Sequence, residues 1–166
     1  MSRISWQEYF IEVLNAAALR ASCDRGKSGA VLIRDNRLLS MGYVGAPAGI
    51  PSCDEVGHEL ITRYEELDNL HKNRLPLQEK DFSHHCVRTM HSEANAIINC
   101  ARNGISTVGA TMYCTMTPCV NCAMMIIQAG IIKVIAKNRY QKDQKTKDLF
   151  KQAKIELIVL DNNLLY

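Results

Sequence analysis

Two short strings must come together if either is to do chemistry: His91, Ser92 and Glu93, and, well downstream, Pro118, Cys119 and Cys122. One imidazole and two thiolates suit zinc, and three protein ligands leave its fourth tetrahedral position open to water. A fold that serves this set has to carry two separated segments to one point. His91 and Glu93 diverge by about 200° on a helix, so they cannot be equivalent ligands. Glu93 belongs instead beside the open position, where a carboxylate can take a proton from water and pass it to a leaving group. Pro118 marks a helix start, where its missing N–H costs nothing, and the free amides of such an end bias both sulfurs toward thiolate. A structural site would recruit four ligands, yet the chain has no second cysteine pair at the Cys119 to Cys122 spacing. The open position reads as hydrolytic chemistry.

The rest of the chain supplies the scaffold. Apolar positions at helical spacing predict an opening helix over Ser5 to Ser22. Gly29 to Ile33 and Leu38 to Met41 read as a β-hairpin turned by Asp35 and Asn36. A Gly- and Pro-rich stretch from Gly42 to Pro51 follows, then a polar insertion at about 54–84, with a helix expected around Glu59 to Leu70. His91 to Arg102 reads as a helix stopped by Asn103 and Gly104, Ala110 to Thr115 as a strand, and Cys119 to Ala129 as a helix stopped by Gly130. Ile131 to Ala136 and Ile155 to Leu160 read as strands flanking a helix from Asp143 to Ala153. Helices alternating with apolar strands predict an α/β layered sheet covered on both faces, in a single domain over residues 1–166.

Composition bounds what such a domain does. Its 166 residues, 47% hydrophobic, are enough for one ordinary core. A net charge of +3 with 6% aromatic residues suits an anionic small molecule and argues against a nucleic-acid groove. The basic residues are scattered except for Lys142, Lys145 and Lys147, which read as a solvated face. No apolar run approaches the roughly 20 residues that span a membrane, and the N-terminus lacks an apolar signal core, so a cytoplasmic enzyme is expected. Seven cysteines, an odd number, then argue for metal ligands and buried thiols over disulfides. Cys100 and Cys114, in apolar contexts, read as core residues.

The His91 and Glu93 string followed by Pro118, Cys119 and Cys122 is the signature of zinc nucleobase deaminases, so the resemblance is one of motif. With the opening residues Met1 to Phe10, the Gly42 to Gly49 segment, the run from His91 to Ile97 and the run from Ile126 to Ile131, the chain resembles the deoxycytidylate (dCMP) deaminases over nearly its whole length. The resemblance implies a cytidine deaminase-like three-layer sandwich, a five-stranded mixed sheet between helices. It implies deamination of dCMP to dUMP and ammonia at a catalytic Zn2+ held by His91, Cys119 and Cys122, with Glu93 moving the protons. It also implies a homo-hexamer activated by dCTP and inhibited by dTTP, with Mg2+ accompanying the triphosphate, and an allosteric pocket near Gly42, Gly45 and Gly49.

For the substrate, the resemblance points to Arg25 and Arg102 for the phosphate and to Tyr140 closing over the nucleotide. Arginine suits bidentate phosphate contact. At Val44 the chain departs from the family, which usually has asparagine there against the sugar hydroxyl. Some relatives carry a second, structural zinc, and the matching regions here hold Cys23, Cys53 and Cys86. His85 or His84 would complete four ligands, with His58, five residues beyond Cys53, as the alternative. Rival readings are a deaminase of altered preference (dCTP, modified dCMP or free deoxycytidine), a polynucleotide deaminase, and an idle nucleotide-binding regulator.

Overall fold

A computed structural model describes residues 3–64, 82–140 and 143–164, with the backbone alone at 62–64, 82–85 and 162–164. The first helix, α1 (Trp6–Ala18), starts at a reciprocal cap: Glu8 N–H donates to Ser5 Oγ at 3.2 Å, and Ser5 N–H to the Glu8 carboxylate at 2.7 Å. It buries Phe10, Leu14 and Ala17. The helix ends before Ser22 because the chain turns to give the Ser22 N–H to the Val44 carbonyl, 3.1 Å away. That turn brings Cys23 into the interior.

Strands β1 (Gly29–Arg34) and β2 (Arg37–Tyr43) form the expected hairpin. Asp35 and Asn36 both take positive φ, 52° and 55°, the mirror-image turn whose twist suits a two-residue connection. A short helix, α2 (Cys53–Val56), follows the Gly- and Pro-rich stretch. Leu60 to Tyr64 forms strand β3, not the start of a helix, and pairs antiparallel with β4 (Phe82–Cys86). The β-branched and aromatic residues Ile61, Thr62 and Tyr64 favour extended backbone, and this outweighs the helical spacing of their apolar neighbours. The remainder of the expected helix, 65–70, lies outside the described residues, as does Lys142.

The chemistry-bearing part follows as α3 (Ser92–Arg102), β5 (Thr111–Met116), α4 (Val120–Gln128), β6 (Lys133–Arg139), α5 (Gln144–Gln152) and β7 (Glu156–Leu164). The main sheet is five-stranded in the order β2-β1-β5-β6-β7. β1 runs antiparallel to β2 and β5, while β5, β6 and β7 are parallel, so the sheet is mixed.

Alternation along the strands makes the layers. Ala30, Leu32, Met112, Cys114, Val134 and Ala136 face α3, α4 and α5 through Ala96, Cys100, Ala123, Ile126 and Phe150. Val31, Ile33, Tyr113 and Ile135 face α1 through Phe10 and Leu14. Full burial of a side chain such as Leu14, Leu32 or Ile126 contributes about 1.5–3 kcal/mol. Both faces of the central strands are therefore apolar, and the polar groups that matter collect at the strand ends, where helices begin.

Candidate metal-dependent active site

Two helix N-termini converge at the end of β5. His91 is the N-cap of α3 and Cys119 the N-cap of α4, and neither side chain caps its own helix. Their backbones are extended, at φ −67°, ψ 150° and φ −69°, ψ 167°, which turns each side chain away from the helix it precedes. Cys119 Sγ and Cys122 Sγ lie 3.4 and 3.6 Å from His91 Nδ1. Ordinary Zn–S and Zn–N bonds at the tetrahedral angle would place such atoms about 3.6 Å apart. The donor set fits one zinc ion, with exposed His91 on the open side and buried Cys122 behind.

The surroundings hold this geometry. Met90, just before His91, exchanges backbone hydrogen bonds with Gly45 (2.9 and 3.3 Å), stitching the ligand's approach to the glycine-rich loop. On the other side, Thr117 N–H donates to the Asn138 carbonyl at 3.0 Å, and Thr146 Oγ donates to the Pro118 carbonyl at 2.8 Å. The turn into Cys119 is thus tied to β6 and to α5. Behind α3, an added Cβ at Gly42 would lie 2.3 Å from the Ser92 carbonyl and 2.4 Å from the Ala96 amide. Only glycine lets helix and strand come so close.

Charge at the site follows from contact. Cys122 donates its S–H to Cys119, and with the help of His91 this pulls the Cys119 thiol down to about 4; the same bond, with burial, pushes Cys122 up. The pair without metal holds one proton between two sulfurs, and a metal ion replaces it. Glu93 is 7% exposed, and burial is the main reason its carboxyl is pushed up. His91 and a hydrogen bond from Ser92 Oγ to Oε2, at 3.0 Å, oppose that rise. A carboxyl biased toward holding a proton beside a metal position is equipped for general acid and base work.

Tyr140 is half-buried; burial, then the negative charge of Cys119, pushes its hydroxyl up, so its ring lies within electrostatic reach of the metal ligands. Arg25 is exposed on the loop between Cys23 and Ser28. Arg102 sits in the last turn of α3, about 15 Å along the axis from the ligand end. Val44 does not present itself as an open loop residue: it is buried, 8% exposed, among Cys23 and Cys53. Gly42 serves the packing of α3, Gly45 the bridge to Met90, and Gly49 takes a left-handed φ of 86°.

A second donor cluster lies across the Gly45–Met90 bridge. Cys23 Sγ is 3.8 Å from His58 Nδ1, Cys53 Sγ is 3.6 Å from Cys86 Sγ, and Cys23, Cys53 and His58 group within 4.8 Å. His58 turns its other nitrogen, Nε2, to Asp24 at 2.8 Å. Burial pushes the Cys53 thiol up to about 12. Cys86 is also raised by burial, but backbone hydrogen bonds at Glu59 and Arg88 outweigh this and bring it down to about 7. The side chains of His84 and His85 lie outside the described residues. His58 was the alternative ligand in the sequence, and it is the histidine that the described structure brings to these cysteines.

Comparison with known proteins agrees with this architecture. The profile of the cytidine and deoxycytidylate deaminase zinc-binding region matches residues 4–138. ComE operon protein 2 of Bacillus subtilis (strain 168) is 36% identical over 163 residues, 97% of this chain and 75% of that protein. Deoxycytidylate deaminase of Mycobacterium phage D29 is 36% identical over 137 residues, 81% of this chain and 96% of that one. The dCMP deaminase of the cyanophage S-TIM5, solved with dCMP and dUMP, superposes with a TM-score of 0.70 at 23% identity, covering 99% of this chain and 100% of that one. That last likeness is one of fold. The chain belongs to the cytidine and deoxycytidylate deaminase family. Its zinc-binding region, mixed sheet and Cys/His/Cys cluster are those of a hydrolytic deaminase.

Proposed function

We propose that the protein hydrolyses dCMP to dUMP and ammonia, supplying dUMP for thymidylate synthesis. The observation that carries this reading is the buried Glu93 carboxylate beside an open His91, Cys119 and Cys122 set, in a chain 36% identical to a deoxycytidylate deaminase. When bound, zinc supplies the Lewis acidity that lets water lose a proton near neutral pH. Glu93 accepts that proton and delivers it to N3 of the cytosine ring. A second transfer through Glu93 protonates the amino nitrogen on C4, which leaves as ammonia while the water oxygen stays on the ring. Arg25, on the exposed loop whose Ser28 reaches Ser92 at the start of α3, suits the phosphate better than Arg102 at the far end of that helix. Tyr140 covers the nucleotide from the β6 side. The test is ammonia release from dCMP, dCTP, CMP and deoxycytidine. dCMP should react fastest; deoxycytidine reacting equally well would remove the phosphate from the reading, and no release from any would sink it.

The same likeness supports a homo-hexamer, activated by dCTP and inhibited by dTTP with Mg2+. Exposed Met124 and Met125 on α4 and Ile132 after it offer apolar surface for subunit contact. Sedimentation gives the subunit number. Sigmoidal dCMP kinetics made hyperbolic by dCTP would support the regulation, and indifference to both triphosphates would remove it. A cytoplasmic setting suits seven cysteines that are all free thiols, two of them with sulfurs 3.6 Å apart.

The second cluster supports a structural zinc held by Cys23, Cys53, His58 and Cys86. Its S···S separation of 3.6 Å and S···N separation of 3.8 Å are near those of a tetrahedral zinc site. Four protein ligands close the site to water, which is the mark of a structural role. Metal analysis decides: two zinc ions per chain are expected, and one would remove this site.

Altered nucleotide preference is a second reading, and Val44 favours it. A buried aliphatic side chain cannot donate to a sugar hydroxyl, so sugar discrimination has to come from elsewhere. Comparable rates on ribo- and deoxyribonucleotides would favour that reading.

A further inference from the structure

The His91 and Glu93 string encloses a residue that the proton chemistry leaves unassigned. Ser92 is 1% exposed, and its hydroxyl lies 3.0 Å from Glu93 Oε2 and 3.3 Å from Ser28 Oγ. A serine hydroxyl has one hydrogen. Given to the carboxylate, it leaves Ser92 as the acceptor for Ser28, so the three groups point one way: Ser28 to Ser92 to Glu93.

Both hydroxyls stand on fixed backbone. The Ser28 carbonyl accepts the Val44 N–H at 3.0 Å, and the next residue, Gly29, donates to Thr115 Oγ1 at 2.9 Å. Ser28 therefore sits at the start of β1, held between the ends of β2 and β5. Ser92 opens α3 with its carbonyl pressed against Gly42, where no Cβ would fit. Asn95, a turn further along, donates to the Tyr43 carbonyl at 2.8 Å and fixes the helix against rotation.

We propose that Ser92, aligned by Ser28, is a positioning residue that sets the orientation of the Glu93 carboxylate. This rests on Glu93 being the proton carrier. A carboxylate on a free glutamate turns about its last torsion, which is broad and roughly two-fold. With Oε2 held to a hydroxyl anchored in the sheet, the other oxygen is presented to the reacting water and ring in one direction. Reaction rates are sensitive to such placement, while ground-state binding of the nucleotide is not.

The test uses the zinc-loaded enzyme and the variants Ser92→Ala, Ser92→Thr and Ser28→Ala. A hydrogen bond to a charged group corresponds to about tenfold or more in rate. Ser92→Ala should lower kcat by that factor with KM and zinc content unchanged, and Ser92→Thr, which keeps the hydroxyl, should recover part of it. Ser28→Ala should give a smaller fall of the same kind. In a Glu93→Gln background, Ser92→Ala should change nothing further. A kcat for Ser92→Ala within twofold of the parent overturns the proposal, as does an equal loss for Ser92→Ala and Ser92→Thr. If Ser92→Ala does not fold or hold zinc, Ser28→Ala decides alone, an unchanged kcat counting against. If the parent releases no ammonia from dCMP, the function reading fails, and crystal structures of the variants decide: Glu93 kept in one orientation without the hydroxyls overturns the proposal.

Discussion

His91 and Cys119 are each the N-cap of a helix, and their ligand atoms meet at 3.4 Å across a gap that neither helix closes. The four unpaired amides at each helix end, the usual consolation of an N-cap side chain, go unserved by these two residues. The field of both helix ends falls instead on the thiolates. A metal site placed there needs little extra charge from the protein to keep its sulfurs ionised.

Glu93→Gln should abolish turnover and leave zinc in place. The amide keeps the volume and a hydrogen-bond acceptor for Ser92, but cannot carry a proton. A loss of about 10²-fold or more in kcat at unchanged zinc content is expected; near-parental turnover would remove Glu93 from its role.

Zinc should leave on acidification. Without metal the sulfur pair keeps a proton because Cys122 is pushed up by its bond to Cys119 and by burial. Each ligand proton that must be displaced makes apparent affinity fall about tenfold per pH unit. Chelator competition between pH 8 and 6 measures the slope; a flat profile would mean the ligands are not these thiols.

Asp24→Asn should loosen the second cluster without touching the first. Asp24 holds His58 Nε2 at 2.8 Å, which fixes the ring so that Nδ1 faces Cys23. Partners of this kind are worth about 10- to 100-fold in metal affinity. The d–d spectrum and retention of cobalt placed in both sites would report the loss as one site weakened and the other unchanged.

Gly42→Ala should destabilise the fold and the metal site together. The new methyl would meet the Ser92 carbonyl at 2.3 Å, backbone that cannot yield without moving α3. Overpacking of this kind costs about 1–3 kcal/mol. Thermal unfolding shows the first effect and zinc retention the second, and a parental Tm would contradict the close approach.

Asp143 sets an acid limit. Burial alone would raise its carboxyl, but hydrogen bonds from Arg139 and Lys147, at 3.1 and 2.8 Å, hold it below the usual range. A lowered folded-state value means stability that is fully present above the ordinary aspartate pKa, about 3.9, and lost as pH falls below it and through the lower folded value. Asp143→Asn should lose about 1–2 kcal/mol near neutral pH and flatten the decline of Tm between pH 5 and 3.

The catalytic donors were legible because metal chemistry restricts residue type and spacing so strongly, and the alternation of helix and strand gave the layers. Three things were not. Residues Leu60 to Tyr64 carry apolar spacing that fits either periodicity, and their partner strand is remote in sequence. Which histidine faces Cys23 is another, because the 3.8 Å approach of His58 to that sulfur joins residues 35 apart in sequence. Ser92 carries no chemical signal of its own in the sequence; its meaning needs Ser28, which only the fold brings near.

Between Cys86 and His91 the chain is a short surface connection of the sort that elsewhere absorbs insertions and deletions. Here it runs from one donor cluster to the other and is clasped to Gly45 through Met90, just before His91. Its length is therefore a calibrated spacer: lengthening it by a residue anywhere near Val87 or Arg88 would pull one donor out of reach to keep the other. Among surface segments of this enzyme it should be the least forgiving of a change in length, whatever the side chains inserted.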